Sequence, residues 1–192
     1  VMDFRDWKVG NDMKAEGLDL VKTYVKYQNI ETGEEQEFMS PEYPWNDSVW
    51  MSHWTFVDQR IDDSQRILKH GIMLEDRDGN NWTSEIFENS DFQLVLVSWD
   101  LEEASPKGLS AAKLIVDEVN ELAIPIVLIT SSTSDIIDQY LSRYETDVET
   151  FFADDIELKA MIRSNPGLVL MHDGIVIQKW PFRDFPDKAE LE

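Results

Sequence analysis

The run Asn165-Pro166-Gly167-Leu168-Val169-Leu170-Met171-His172-Asp173-Gly174-Ile175-Val176 decides the fold. Leu168–Met171 is a short apolar stretch with no helical period. Asp173-Gly174 is a dipeptide that two-residue hairpin turns favour, because their central residues take positive φ. Ile175–Trp180 then reads as the returning strand. The chain therefore closes on an antiparallel pair, entered through a proline turn.

Upstream of that pair lie two continuous apolar runs, Ile124-Pro125-Ile126-Val127-Leu128-Ile129 and Phe92–Trp99 with Leu94-Val95-Leu96-Val97 at its centre. Runs of this length, rich in β-branched residues, read as strands buried on both faces. Between them, Ser105-Pro106 sets a capping residue before a proline at the first helical turn. Leu109, Ala112, Leu114-Ile115, Val119 and Leu122 follow at roughly helical spacing. Ser134 is placed to cap a helix carrying Ile136, Ile137, Tyr140 and Leu141. Asp154-Asp155 is placed to cap another with Ile156, Leu158, Met161 and Ile162. Further upstream, Gly71–Glu75 is a strand candidate, Asp78-Gly79 a turn, and Trp82-Thr83 the start of a returning strand. Strand–helix–strand units demand parallel pairing with right-handed crossovers. Added to the closing hairpin, they predict an α/β domain with a mixed sheet flanked by helices over residues 71–192.

Residues 1–70 read differently, as a β-rich extension. Thr23–Tyr27 alternates, Thr32-Gly33 turns, Glu35–Met39 returns, and Trp54–Val57 is a further short strand. No strong helical period appears there. Trp45, Trp50 and Trp54 cluster with Tyr43 and Phe56, and are expected to form a small core.

Composition sets the outer limits. The 192 residues are 42% hydrophobic and 11% aromatic, with seven Trp, which suits a globular chain rather than a disordered one. There is no cysteine. That excludes disulfides, thiolate catalysis, cysteine-ligated zinc and iron–sulfur clusters. The formal net charge of −22 argues against nucleic-acid partners and against an anionic membrane surface, and otherwise reads as a solvated face. No stretch approaches the ~18 apolar residues of a membrane span. No signal peptide is visible, and a chain that begins at Val1 reads as a piece of a longer protein.

Chemical motifs are sparse. His53, His70 and His172 show no metal-ligand spacing, and each reads as a surface or turn residue. Asp76-Arg77-Asp78-Gly79-Asn80 has a superficial likeness to a calcium loop, but Leu74 stands where the first ligand belongs, so a hairpin turn is the better reading. No phosphate loop, nucleophile elbow or dinucleotide fingerprint is present, and no metal or cofactor is expected. Ser131-Ser132-Thr133-Ser134 follows a buried strand, where α/β folds bind ligands, but reads first as a loop ending in a helix cap. Arg163 is placed either to meet a partner carboxylate or to neutralise Asp154, Asp155 and Glu157.

The element order, with Asn165-Pro166 before the final hairpin, resembles the thioredoxin fold, whose cis-proline occupies that place. The Leu74–Asn80 segment followed by Phe92–Trp99 resembles the TlpA and peroxiredoxin branch. A resemblance covering nearly the whole chain is to the soluble C-terminal region of bacterial DoxX-like membrane proteins. It rests on Asp3-Phe4-Arg5, Lys8-Val9-Gly10, Trp54-Thr55-Phe56-Val57-Asp58 and above all Asp155–Gly167. It implies a thioredoxin-like domain tethered behind a multi-helix membrane part. An odd number of preceding helices would place it in the periplasm, an even number on the cytoplasmic face.

Active thioredoxin-like enzymes carry Cys-x-x-Cys at the start of the helix after the first central strand. The matching region here is Ser98–Pro106, and both cysteine positions are lost. Glu102 and Glu103 bring negative charge to that helix start, which suits capping. The resemblance thus implies a domain for protein binding or assembly without redox activity. Its binding surface would comprise Trp99, Glu103, Arg163, Asn165 and Pro166, with the backbone before the proline open to an extended peptide. The alternative is an accessory part of a membrane redox or sulfur-metabolism system whose chemistry lies in the transmembrane region. A stand-alone enzyme has no supporting constellation.

Overall fold

The structure is a computed structural model describing residues 7–14, 22–62, 64 and 70–191. Asp3-Phe4-Arg5 and Glu192 lie outside the described residues. Packing divides the chain into two units, one formed by Val1–Lys14 with Lys69–Glu192 and the other by Ala15–Leu68. Residues 7–14 therefore belong with the larger unit, not with the β-rich extension that the reading of residues 1–70 put them in. The reason is physical: Trp7 and Met13 are buried in the larger unit's core.

The larger unit holds a five-stranded mixed sheet. Its strands are β4 (Phe92–Ser98), β5 (Ile126–Thr130), β6 (Glu149–Phe152), β7 (Gly167–His172) and β8 (Ile175–Pro181), in the order β6-β5-β4-β7-β8. Strand β4 runs parallel to β5 and antiparallel to β7; β5 and β6 are parallel, β7 and β8 antiparallel. Side chains of β4 alternate between two cores. Leu94 and Leu96 face helices α3 (Pro106–Glu121) and α4 (Ser134–Tyr144), while Val95 and Val97 face Trp7, Met13, Phe87 and helix α5 (Asp155–Met161). With the Asn165–Pro166 peptide cis at the entrance to β7, this is the thioredoxin-like arrangement.

Local sequence explains most of the elements. Ser105 caps α3, its Oγ accepting from Gly108 N at 3.4 Å, and Pro106 opens the helix. Leu109, Ala112, Ile115, Val116 and Val119 bury one face of it. Leu114, counted with that face by spacing, is 61% exposed, because it falls about 100° away from its buried neighbour Ile115. Asp154 caps α5 by accepting from Ile156 N at 2.9 Å and Glu157 N at 3.3 Å. Helix α4 differs from expectation. Thr133 is its N-cap residue, without a side-chain bond, and Ser134 is already helical.

Two strand assignments fail near Asp78-Gly79. The turn itself forms, with Gly79 at φ +82°. Residues 71–75, however, contribute only isolated bridges, from Glu75 to Asn81 and to Phe152, and the returning segment becomes helix α2 (Thr83–Phe87). Ile86 and Phe87 are adjacent and both buried, which a strand with one solvated face cannot provide. Strand β7 pairs with β4 on one side and β8 on the other, so β4 separates it from β5.

The smaller unit is a three-stranded antiparallel sheet, β2 (Glu35–Met39), β1 (Lys22–Asn29) and β3 (Trp54–Asp62), ordered β2-β1-β3, with the short helix α1 (Ser48–His53) before β3. Its aromatic cluster centres on buried Tyr27, which stacks on Tyr43 at 5.4 Å and meets Trp50 edge-on at 5.0 Å. Trp50 in turn stacks on Trp54 at 5.4 Å. Phe56, though 52% exposed, meets Tyr27 edge-on at 5.9 Å and so joins the cluster as the sequence reading has it, whereas Trp45 is 61% exposed, contrary to that reading.

Tyr140 on α4 is buried, and its hydroxyl has no hydrogen-bond partner among the described residues. Burial, with the neighbouring Tyr144 adding to it, pushes its pKa up to about 12. The folded chain thus holds this proton where the unfolded chain has begun to release it above about pH 10, so stability is lost as pH rises from about 10 toward 12. Tyr140→Phe is expected to remove that part of the alkaline loss and to leave neutral-pH stability unchanged or raised by up to about 1 kcal/mol. Urea unfolding of both chains at neutral and alkaline pH checks this.

Candidate functional site

The ends of β4 and β5 face the turn that leads into β7, and a polar network joins the three. Ser98 Oγ, fully buried at the end of β4, donates to Asn165 Oδ1 at 2.8 Å. Asn165 Nδ2 donates to the Asp100 carbonyl at 2.7 Å, and Ser105 N–H donates to the Asn165 carbonyl at 3.3 Å. Ser131 N–H donates to the Trp99 carbonyl at 3.3 Å, and Ser131 Oγ donates to the same carbonyl. Ser132 Oγ accepts from Leu101 N at 2.9 Å. Asp100 Oδ1 accepts from Glu102 N at 2.8 Å and Glu103 N at 3.2 Å.

The segment 99–105 is thereby closed on itself and on its neighbours. The amides of Leu101, Glu102 and Glu103 are taken by side-chain oxygens. Ser131 and Ser132, after β5, fasten the loop. A single helix cap explains only part of that hydroxyl-rich stretch.

Of the five expected surface residues, Asn165 is tied to the Ser98–Ser105 segment, and the five differ in character. Asn165 is half-buried and holds the loop from inside, so it positions the surface and offers little side chain to a partner. Its carbonyl, expected to be open to a peptide, is already engaged by Ser105. Pro166 is buried, since α3 approaches it through Gly108; a Cβ there would stand 2.6 Å from Pro166 Cδ and 3.0 Å from Phe182 Cγ. Trp99 is half-buried, packed against the core that contains Val95 and Val97. Glu103 and Arg163 are exposed. Asp155 is paired with Lys159 at 2.7 Å rather than relying on Arg163.

Sequence reasoning passed over Ser98, Asp100 and Gly108. Asp100 was findable, because an Asp two residues before paired amides is the usual start of an Asx turn. Ser98 and Gly108 carried no signal, since their importance arises from contacts across 67 residues or between elements.

The remaining candidates resolve into structural roles. Asp76 accepts from Asp78 N, Asn80 N, Asn80 Nδ2 and Trp82 Nε1 at 2.8–2.9 Å, which organises the turn. Those donors, the Asn80 side chain first and the Trp82 indole next, hold its carboxyl at about 2, well below the usual range. His53 Nδ1 lies 2.8 Å from the Val49 carbonyl at the end of α1. His172 packs on Phe92 at 4.6 Å. His70, read as a surface or turn residue, is half-buried, its ring 5.2 Å from both Trp7 and Phe87. Among the described residues no group of three or more His, Asp or Glu is placed to hold a metal ion. No helix among them is long and apolar enough to cross a membrane.

Neither a protein-family model nor a curated protein matches the chain. Solved structures to which it is similar include a secreted Mycobacterium tuberculosis disulfide oxidoreductase homologous to E. coli DsbE, at 14% identity over 62% of this chain and 90% of that one, with TM-score 0.46. Another is DsbF of Mycobacterium tuberculosis, at 11% identity over 62% and 88%, with TM-score 0.47. A third is the C-terminal domain of a putative thiol-disulfide oxidoreductase from Bacteroides thetaiotaomicron, at 16% identity over 62% and 84%, with TM-score 0.45.

Asn165→Ala would leave the buried Ser98 hydroxyl and the Asp100 carbonyl without their partners. A loss of about 2 kcal/mol in urea unfolding is expected. An unchanged midpoint would mean that Asn165 does not hold the loop.

Proposed function

We propose that this chain is a thioredoxin-like domain that binds an extended polypeptide or serves assembly, without thiol–disulfide chemistry of its own. One observation carries the reading. The segment that would present reactive thiols contains no cysteine, and it is closed by hydrogen bonds from its own amides to Asp100 and Ser132 and from Asn165 to its Asp100 carbonyl. Thiol–disulfide exchange needs an attacking thiolate, and the chain supplies none. What the segment keeps is the half-buried Trp99 and the exposed Glu103, with the exposed Arg163 two residues before Asn165, whose side chain is bonded to the loop. Amphipathic aromatics of this kind anchor polypeptide contacts, and flanking charges select among them.

The Asp155–Gly167 run supports a further part of the proposal, that the domain is tethered behind a DoxX-like membrane region and faces the periplasm. The partner is then a protein held at the membrane, or the membrane part of the same protein.

The test uses the full-length protein in its own cells, with a photo-reactive benzoylphenylalanine in place of Glu103, Arg163 or, as a control on the exposed side of α3, Leu114. The expected result is a polypeptide adduct from Glu103 and Arg163, none from Leu114, and loss of the adduct with Trp99→Ala. Equal adducts at all three positions, or none at the first two, would overturn the binding surface. Carbonate washing of the membranes separates the second claim. A protein released at about this chain's mass would end the tethered reading while leaving the binding surface to stand or fall on the adducts.

A further inference from the structure

Strand β8 ends beside the start of β7, with Pro181 opposite Gly167. The chain that leaves β8 therefore passes next to the Asn165–Pro166 turn. It continues as a short 3₁₀ turn, Phe182–Asp184, and then as helix α6 (Lys188–Leu191). Phe185 and Leu191 pack against the core that α3 covers, and Lys188 Nζ donates to Glu121 Oε2 on α3 at 2.9 Å. This tail is thus fixed to α3 at its far end as well as to the sheet through β8.

Tail and turn are joined through one hydroxyl and one glycine. Ser164 Oγ accepts from Phe182 N–H at 3.0 Å and donates to the Pro166 carbonyl at 2.6 Å. At Gly108 of α3, an added Cβ would stand 3.0 Å from Phe182 Cγ and 2.6 Å from Pro166 Cδ. Helix, ring and proline therefore meet with no room for a methyl group among them. Close packing of this kind transmits strain, so a change in one member is felt by the other two.

We propose that Ser164 and Phe182 are positioning residues for partner binding, on the reading that Trp99 and Glu103 contact the partner. They fix the Asn165–Pro166 turn from the tail, as Ser98, Asp100 and Ser105 fix it from the end of β4. The turn is the point the two sets of bonds share: Asn165 holds the Asp100 carbonyl, and its neighbour Pro166 is held by Ser164. Both carbonyls of the turn are bonded within the chain, that of Asn165 to Ser105 N–H at 3.3 Å and that of Pro166 to Ser164, and proline has no N–H to offer. Recognition here is then carried by side chains rather than by a backbone ladder, and side chains recognise a partner only when the backbone beneath them is held in place.

The test reads the turn and the binding separately. For the turn, nuclear magnetic resonance follows water exchange of the Asn165 Nδ2 hydrogens, one of which is bonded to the Asp100 carbonyl. Ser164→Ala and the milder Phe182→Leu are each expected to speed that exchange about tenfold. Lys188→Ala, which unties the tail from α3 without touching the turn, is expected to leave it unchanged. For binding, the photo-adduct from position 103 of the full-length protein is expected to fall about fivefold with Ser164→Ala or Phe182→Leu and to persist with Lys188→Ala. Far-ultraviolet circular dichroism establishes that each variant is folded. Unchanged Asn165 exchange in both Ser164→Ala and Phe182→Leu, an equal change in Lys188→Ala, or faster exchange with an undiminished adduct would overturn the proposal. Absence of any adduct before these substitutions are made would instead end the binding surface itself, and the positioning role with it, whatever the exchange rates.

Discussion

Strand β4 must satisfy its backbone on both sides while both of its faces lie in apolar surroundings. Leu94, Val95, Leu96 and Val97 are all essentially inaccessible to water. An unpaired amide there would cost the full desolvation penalty of the group. Parallel β5 on one side and antiparallel β7 on the other meet that demand, and the helices on both faces follow from it. The choice of β7 as neighbour brings the Asn165–Pro166 turn to the end of β4. The polar network at that end is therefore a consequence of how the sheet is closed.

The network also takes up backbone amides ahead of α3. The start of a helix leaves N–H groups without intrahelical partners, which is where a thiolate gains stabilisation. Here Gly108 N is held by Ser105, and the amides of Leu101, Glu102 and Glu103, just ahead of the helix, by Ser132 and Asp100. The groups that would favour an anion are spent on fixing the loop.

Much of this was legible in the sequence where one segment's own pattern sufficed. The apolar runs of β4 and β5, the Ser105-Pro106 start of α3, the Asp154 cap and the Asp173-Gly174 hairpin each announce themselves within a few residues. Strand β6 was missed because four residues with two of them half-buried give no period. Helices α1 and α2 were missed for the same reason, being shorter than two turns. Of the site, Trp99 and Pro166 were visible through their place in the pattern. The inward role of Asn165 and the close approach at Gly108 depend on which strands become neighbours, information no single segment carries.

The acidic composition looks different once these roles are known. Asp12, Asp47, Asp62, Asp76, Asp100, Asp154 and Asp187 each accept from backbone amides two to four residues ahead, at turns or helix starts. Asp58 does so for the residue that follows it. A carboxylate is a stronger acceptor than a hydroxyl, and it holds a turn without demanding a particular partner segment. Donors beside Asp62 and Asp76 keep those carboxyls ionised below the usual range, so the bonds persist as pH falls until the folded-state pKa is reached. Many of the negative charges are therefore the means by which a loop-rich chain fixes its backbone. Net charge alone then says little about what the domain binds.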